Sequence, residues 1–586
     1  MFVRKNGTVE LLAWAVLLLA TQFLPSGVRA QAPQAKPADR ISGVVINSVT
    51  REPVARALVV SEGETFATMT DNSGRFEFVF ASGGDQTANG PGLPAPGNIR
   101  PRERPYILTA RKPGYLNGQS QQPSSAQRVI DGKEMEIALV PEALIVGHVA
   151  LPTSEAPDSI EVELFQRQVR DGRAHWVSVR TQSTRSDGEF RFAELPAGTY
   201  KLLTHELREE DPKLSGPGAQ VYGYAPVYFP NASGFSSAGT IELTPGKTAH
   251  ANLSLVRQPY FPVIVPVTNV PSGRGFGLDV SVLGPGGPGY SLEYDNQKEA
   301  IVGMLPNGSY RLQAFAFGEA GFTGEANITV HGGAEGTVLP LSAAPSIAVH
   351  MKDQFTWEAT RHKTMATDPA GQVIPEQRIF DVRVTLEPVD DFGPQQQMGS
   401  TPASMNQQTP VMHIEHVAPG RYWVQVYATH GYVASVTGGG VDLRHHPLVV
   451  PSGGSVPSIE VTLRDDSAII EGVVEGASSL TGPGAPISLG PYGSGGASSS
   501  DSSARLYFIP LPDSAGRFTE QNVRQDGKFS ISLPPGDYRV LAFPQVQPNL
   551  EYENPVAMRA YDGKGQVVRL TGGQKEHLQL QLVSPE

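Results

Sequence analysis

One motif recurs through this chain and restricts its fold more than any other feature. It is SDGEFRFAELPAGTYKLLT at Ser186 to Thr204 and QDGKFSISLPPGDYRVLAF at Gln525 to Phe543. Shorter echoes are MLPNGSYRLQAF at Met304 to Phe315 and HVAPGRYWVQVYA at His416 to Ala428; a partial copy, DNSGRFEFVF, runs from Asp71 to Phe80. Asp-Gly makes a tight turn, because Gly tolerates positive φ and Asp hydrogen-bonds its own backbone. Phe190 and Phe192, like Phe529 and Ile531, then alternate at the strand period, so one face is buried. Leu-Pro-x-Gly reverses the chain, and a Tyr two residues later opens the return strand. Tyr200 and Tyr538 are expected to pack inward with the hydroxyl on nearby backbone, in the manner of a tyrosine corner.

Apolar strands frame each copy. The opening strands are ISGVVIN (Ile41 to Asn47), LIVGHVAL (Leu144 to Leu151), YFPVIVPV (Tyr260 to Val267), SIAVHMKD (Ser346 to Asp353) and AIIEGVVEG (Ala468 to Gly476). The closing strands are MEIALVP (Met135 to Pro141), HANLSLV (His250 to Val256), GTVLPLS (Gly336 to Ser342), SIEVTLR (Ser458 to Arg464) and HLQLQLV (His577 to Val583). Five units leave about 110 residues apiece, close to the ~100 of an immunoglobulin-sized sandwich. The expected fold is all-β: a tandem array of about five immunoglobulin- or transthyretin-like antiparallel β-sandwiches after a signal peptide. The units are placed at 41–141, 142–257, 258–343, 344–466 and 467–586, joined by short linkers as independent beads. Polar or Gly-rich inserts at 82–104, 356–376, 390–409 and 490–504 are read as tolerated padding rather than functional loops.

Composition agrees with many turns and few long helices: 63 Gly and 50 Pro in 586 residues, well above ordinary usage. Residues 1–30 read as a secretory signal peptide, with Arg4 and Lys5 before the apolar Leu11 to Leu24 run and a Val28-Arg29-Ala30 cleavage site. Residues 31–40 are a polar linker. No later segment is apolar enough to cross a bilayer. The absence of cysteine removes disulfides, thiolate chemistry and cysteine-ligated zinc. A net charge of −12 gives no field that would gather nucleic acid.

The first unit, with Gly43, Glu52-Pro53, Ala57, the Asp71-to-Phe76 hairpin and Pro113-Gly114-Tyr115, resembles the carboxypeptidase regulatory-like domain. The second and fifth resemble it through Gly147 or Gly472 and the shared turn motifs; the third and fourth match weakly. The resemblance implies a transthyretin-like sandwich of the carbohydrate-binding-like fold, carried in tandem by exported bacterial proteins. It implies no catalytic residues.

The search for chemistry finds little. GPGGPG at Gly284 to Gly289 matches a dinucleotide-binding pattern, but no helix follows and Pro285 and Pro288 lack the N–H groups that cradle phosphate. It reads as a strand-connecting turn. No G-x-S-x-G or H-E-x-x-H motif is present. His413 and His416 with His445 and His446 are the best metal set; register places Met412 and Ile414 inward and His413 in solvent, so surface histidines are expected. Aromatics at Val221 to Phe235 offer rings for sugar stacking, or simply roof the second sandwich. The expected ligand residues are Tyr222, Tyr224 and Tyr228, with Trp357 as a further exposed ring. Trp176 and Trp423 sit in alternating strands as core or edge residues.

The reading is a non-enzymatic exported protein acting as a cell-envelope scaffold or binding protein. The alternative is a carbohydrate-binding accessory protein using exposed aromatics; an enzyme with an inter-domain site comes third. No cofactor is expected. A glycan or an envelope protein is the expected partner, with no nucleic acid and no membrane span after signal cleavage. The chain is placed in the periplasm, at the cell surface or outside the cell.

Overall fold

The computed structural model describes residues 39–61, 64–80, 107–116, 127–129, 133–152, 159–208, 220–271, 277–316, 321–334, 336–356, 365–367, 373–375, 382–393, 397–398, 411–428, 431–477, 504–512, 514–524 and 526–583. The expected signal peptide, Trp357 and the 82–104 loop lie outside them, as do most of the other inserts.

Nearly all regular structure is β, and five hydrophobic clusters follow one another along the chain. They span Ile41 to Leu139, Ala143 to Leu255, Val263 to Leu341, Ile347 to Leu463 and Ala468 to Leu580. Each is enclosed by a pair of sheets, so the molecule is a tandem array of five β-sandwiches. In the second, one sheet carries Ala143–Ala150 between Glu189–Leu195 and Thr248–His250; the other orders Arg173–Ser183, Glu161–Arg170, Gly198–Thr204 and Ile241–Leu243.

The layers are antiparallel with one exception that repeats five times. Every opening strand pairs in parallel with its own closing strand: Gly43 with Met135, Ala249 with Ile145, Val267 with Leu339, Val349 with Ile459 and Gly472 with Leu578. Because first and last strands run the same way, the chain enters a sandwich at one end and leaves at the other. That arrangement is what a tandem series requires.

The repeated motif forms as its chemistry dictates. Asp71, Asp187 and Asp526 each accept through Oδ1 from a backbone N–H further along the turn, Arg75, Glu189 and Lys528 respectively, at 2.8, 3.0 and 3.0 Å. Gly74, Gly188 and Gly527 take φ of 74°, 82° and 78°, the left-handed region a side chain would strain. The return-strand tyrosines Tyr200, Tyr310, Tyr422 and Tyr538 are buried. Each donates its hydroxyl to the carbonyl four residues upstream, on Pro196, Pro306, Ala418 and Pro534, at 2.7–2.8 Å. The corner thus closes four sandwiches, including the two whose sequence echoes are weakest.

Two expectations are corrected. The 257/258 boundary cuts a continuous strand, Arg257–Thr268, which also pairs with Val221–Tyr224 from the preceding unit. Second and third sandwiches therefore share a sheet. The units are also not independent beads, because the second touches the fourth and the fifth directly.

Candidate functional site

The second sandwich projects a long hairpin, Glu161–Arg170 and Arg173–Ser183, joined by Asp171-Gly172. Both turn residues have positive φ, 45° and 72°, the geometry that matches strand twist in a two-residue hairpin. The tip meets the fifth sandwich. A Cβ on Gly172 would lie 2.6 Å from the Tyr552 ring, which itself stacks on Phe518 at 3.8 Å. Arg167 pairs with Glu551 at 2.5 Å and Arg173 with Glu553 at 2.9 Å. Burial opposes ionisation of Glu551, but hydrogen bonds from Arg167 and Asn554 outweigh it and hold its pKa below the ordinary value.

The same hairpin grips the fourth sandwich. The Arg173 guanidinium lies 3.9 Å from the Trp423 ring centre, and His175 Nδ1 stands 3.2 Å from Asp391. Beside them Phe392 enters an aromatic cluster of the second sandwich, 4.8 Å from Phe235 and 5.8 Å from Phe165, both edge-on. Lys201 ends in this cluster, only 6% exposed. Its Nζ lies 4.8 and 4.9 Å from the Phe235 and Trp176 rings and donates to the Phe235 carbonyl at 2.6 Å. Burial lowers the Lys201 pKa, and the nearby Asp391 carboxylate pulls the other way. Two ring faces and the Phe235 and Ser236 carbonyls surround the ammonium group. Fifth and fourth sandwiches close the triangle where Arg517 donates to the Val426 carbonyl at 2.8 Å and covers Tyr427.

The aromatic stretch expected to bind sugar does something else. Tyr224 and Tyr228 are 3% and 2% exposed and offer no face to a ligand. Tyr228 donates to the Pro288 carbonyl at 2.8 Å, and Phe235 N–H to Gly286 at 2.7 Å. GPGGPG is indeed a turn between paired strands, and its glycines let it press against the second sandwich: a Cβ on Gly286 would sit 2.5 Å from the Ser233 carbonyl. Tyr222 is half-buried beneath the Arg257 guanidinium at 3.9 Å. Trp357 lies outside the described residues. The rings roof and join sandwiches.

A polar node sits at the same junction. His205 Nε2 lies 2.8 Å from Glu163, and Ser178 also bonds that carboxylate. The bond to Glu163 raises the His205 pKa against the opposing effect of burial. Burial likewise opposes the Glu163 charge, yet the His205 and Ser178 bonds prevail and lower its pKa. Glu206 accepts from Ser291 N–H and Oγ at 3.0 and 2.8 Å, while its Oε2 is buried without a partner. Burial raises its pKa.

The histidines do not converge. Met412 and Ile414 point inward and His413 is exposed; His416 packs against Gly321, and His445 and His446 lie in solvent beside Asp442. Among the described residues no group of three or more His, Cys, Asp or Glu is arranged to hold a metal. Lys201, Phe392 and the Arg167–Arg173 face were missed. The Asp171-Gly172 turn between alternating runs was the signal for the hairpin.

No protein-family model and no curated protein matches the chain. Solved structures do. The Bacillus anthracis TIE protein is similar at 11% identity over 52% of this chain and 49% of that one, with a TM-score of 0.14. The chain thus spans about half the length of that protein. The major pilin subunit of Bacillus cereus is similar at 10% over 55% and 99% of the two chains, TM-score 0.12. Two B repeat units of the Staphylococcus aureus collagen binding protein are similar at 8% over 70% and 94%, TM-score 0.13.

Proposed function

We propose that this chain is a non-enzymatic, exported scaffold of the bacterial cell envelope that presents its surfaces to envelope proteins or glycans. Its division would follow the five units given above, except that the third would begin at Arg257, with the Val221–Tyr224 strand lent to it by the second. The first, second and fifth would be of the carboxypeptidase regulatory-like type, the three in which an opening-strand glycine faces a phenylalanine. The observation that carries the reading is the hairpin of the second sandwich clasping the fourth and fifth through Arg167, Arg173, Phe392 and Tyr552. Covering aromatic and charged surface between modules fixes their angles, which serves display of surfaces and is wasted on a flexible tether.

The test is twofold. Fractionation of native cells should find the processed chain outside the cytoplasm. Cross-linking in the intact envelope should capture a reproducible partner. Retention in the cytoplasm, or turnover of a substrate in a broad hydrolase screen, would overturn the reading.

A further inference from the structure

We propose that the open edge of the second sandwich takes up an extended acidic segment of another protein as an added β-strand. Among the described residues, Arg173–Ser183 is the terminal strand of its sheet. Its first half meets the fourth and fifth sandwiches, whereas residues 180–183, beyond the bulge between Ser178 and Arg180, are exposed. Two backbone bonds fix which groups face outward. Thr184 N–H donates to the Ile160 carbonyl at 2.9 Å, while the Glu161 carbonyl accepts from His205 N–H at 2.8 Å on the opposite side of its strand. Ser183 stands opposite Glu161, so its own N–H and C=O point away from the sheet. By the alternation of an antiparallel ladder, those of Thr181 do the same. They form a template for a further strand.

The groove beside that edge supplies the selectivity. It holds about 640 Å³ between this strand and Glu189–Leu195, the terminal strand of the facing sheet. Arg180 and Gln182 stand opposite Leu164 and Val162 and share their inward face, so at the open edge they overhang the gap between the sheets. Arg180 reaches across it and donates to the Ala193 carbonyl at 2.5 Å. Arg185 and Arg191 line the same groove, and with Glu189 and Glu194 counted against them the guanidinium groups remain in excess. An added strand would set alternate side chains among these groups, where carboxylates form charge-assisted hydrogen bonds. The same charges reject other occupants. An apolar strand would cover them unpaired, and a second copy of this edge would gather Arg180 and Arg185 of both chains along one seam. The site builds on the scaffold reading by naming one surface and its partner's chemistry. The two fail separately, because a scaffold can present other surfaces and this edge can bind acidic strands in any compartment.

The experiment is fluorescence anisotropy of the full chain with a labelled, end-blocked octapeptide of alternating Thr and Glu. A Thr–Lys octapeptide and a Thr–Glu octapeptide methylated on its backbone nitrogens are the comparisons. The acidic peptide should bind saturably at millimolar concentration or below, bind less well as salt is added, and slow hydrogen exchange at Thr181 and Ser183. The lysine and methylated peptides should not bind. Thr181→Pro removes an N–H that the sheet does not use, so Val162 and Leu164 should keep their protection while binding falls by roughly tenfold or more. Arg185→Gln combined with Arg191→Gln, both exposed, should weaken binding roughly tenfold, and it decides the matter if the proline loosens the strand. The proposal is overturned by failure of the acidic peptide to bind or by equal binding of its methylated form. Affinity unmoved in a folded Thr181→Pro chain or in the double arginine variant, or a sedimenting dimer that Thr181→Pro dissolves, overturns it equally.

Discussion

Gly147 lies directly opposite Phe190 across the second sandwich's first sheet, and the ring covers the glycine so closely that a Cβ there would stand 2.4 Å from its Cζ. The parallel neighbour closes the other side, with the Ala251 carbonyl 2.0 Å from the same point. Gly43 with Phe76 and Gly472 with Phe529 repeat the arrangement. Gly147→Ala should therefore force ring and strand apart and destabilise the second sandwich by on the order of 1–3 kcal/mol. Hydrogen exchange on the full chain should accelerate at Ile145 and Val149 while Val349 and Val461 of the fourth sandwich stay protected. Unchanged protection at Ile145 would mean that the strand yields freely.

The tyrosine corners make a separable contribution. Tyr422→Phe keeps the buried ring and removes only the donor to the Ala418 carbonyl, at a cost of about 1–2 kcal/mol. In a fourth sandwich without the Gly–Phe pair, that bond anchors the return strand against its turn. Local unfolding measured by exchange at Val424 and Val426 should quicken by about tenfold, 1.4 kcal/mol. An effect confined to the Tyr hydroxyl's disappearance, with no change in exchange, would show that the turn holds by its Pro419-Gly420 backbone alone.

The sandwiches were legible in sequence because their determinants are local. Period-2 burial, Asp-Gly and Leu-Pro-x-Gly each act within about ten residues, and they place Phe190, Tyr200 and their counterparts correctly. Parallel pairing of first and last strands was not legible, since Gly43 and Met135 are joined by no local signal. Nor was the fate of the Tyr224 and Tyr228 rings. An aromatic side chain at a strand edge has the same sequence pattern whether its face meets a ligand or another sandwich. For Tyr228 the answer lies in Pro288, sixty residues on, whereas Tyr224 turns into the second sandwich's own core. Phe392 sat in an insert read as padding for the same reason: its partners Phe165 and Phe235 belong to a different unit.

That ring gives a direct test of the clasp. Phe392→Ala should open a hole against Phe165 and Phe235 without touching the fourth sandwich's own core, whereas Phe392→Leu should largely fill it. The alanine variant is expected to loosen the second sandwich from the fourth, raising the radius of gyration by small-angle scattering and exposing the 390–393 segment to protease. Combining it with Arg173→Ala, which removes the Trp423 and Glu553 contacts together, should enlarge both changes. Identical scattering profiles for parent and double variant would show that linkers, not the clasp, fix the arrangement.

The His205–Glu163 pair fixes a pH dependence whose sign follows from its direction. His205 has a raised pKa in the folded chain, so its charge contributes fully below the unfolded value of about 6.5. As pH climbs through the folded value the proton leaves and the contribution is lost. Glu206 acts in the same sense: burial raises its pKa, so above about 4.5 the unfolded chain ionises more readily and gains ground. The junction of second and third sandwiches should therefore be weaker at pH 8 than at pH 6, seen as lower protection factors, after correction for the base-catalysed rise in intrinsic exchange, at Thr204, Val263 and Ile301. His205→Gln retains a hydrogen bond to Glu163 but cannot titrate, and should flatten the profile across that interval. A junction that tightens from pH 6 to 8, or an H205Q chain with the parent's full slope, would place the controlling charge elsewhere.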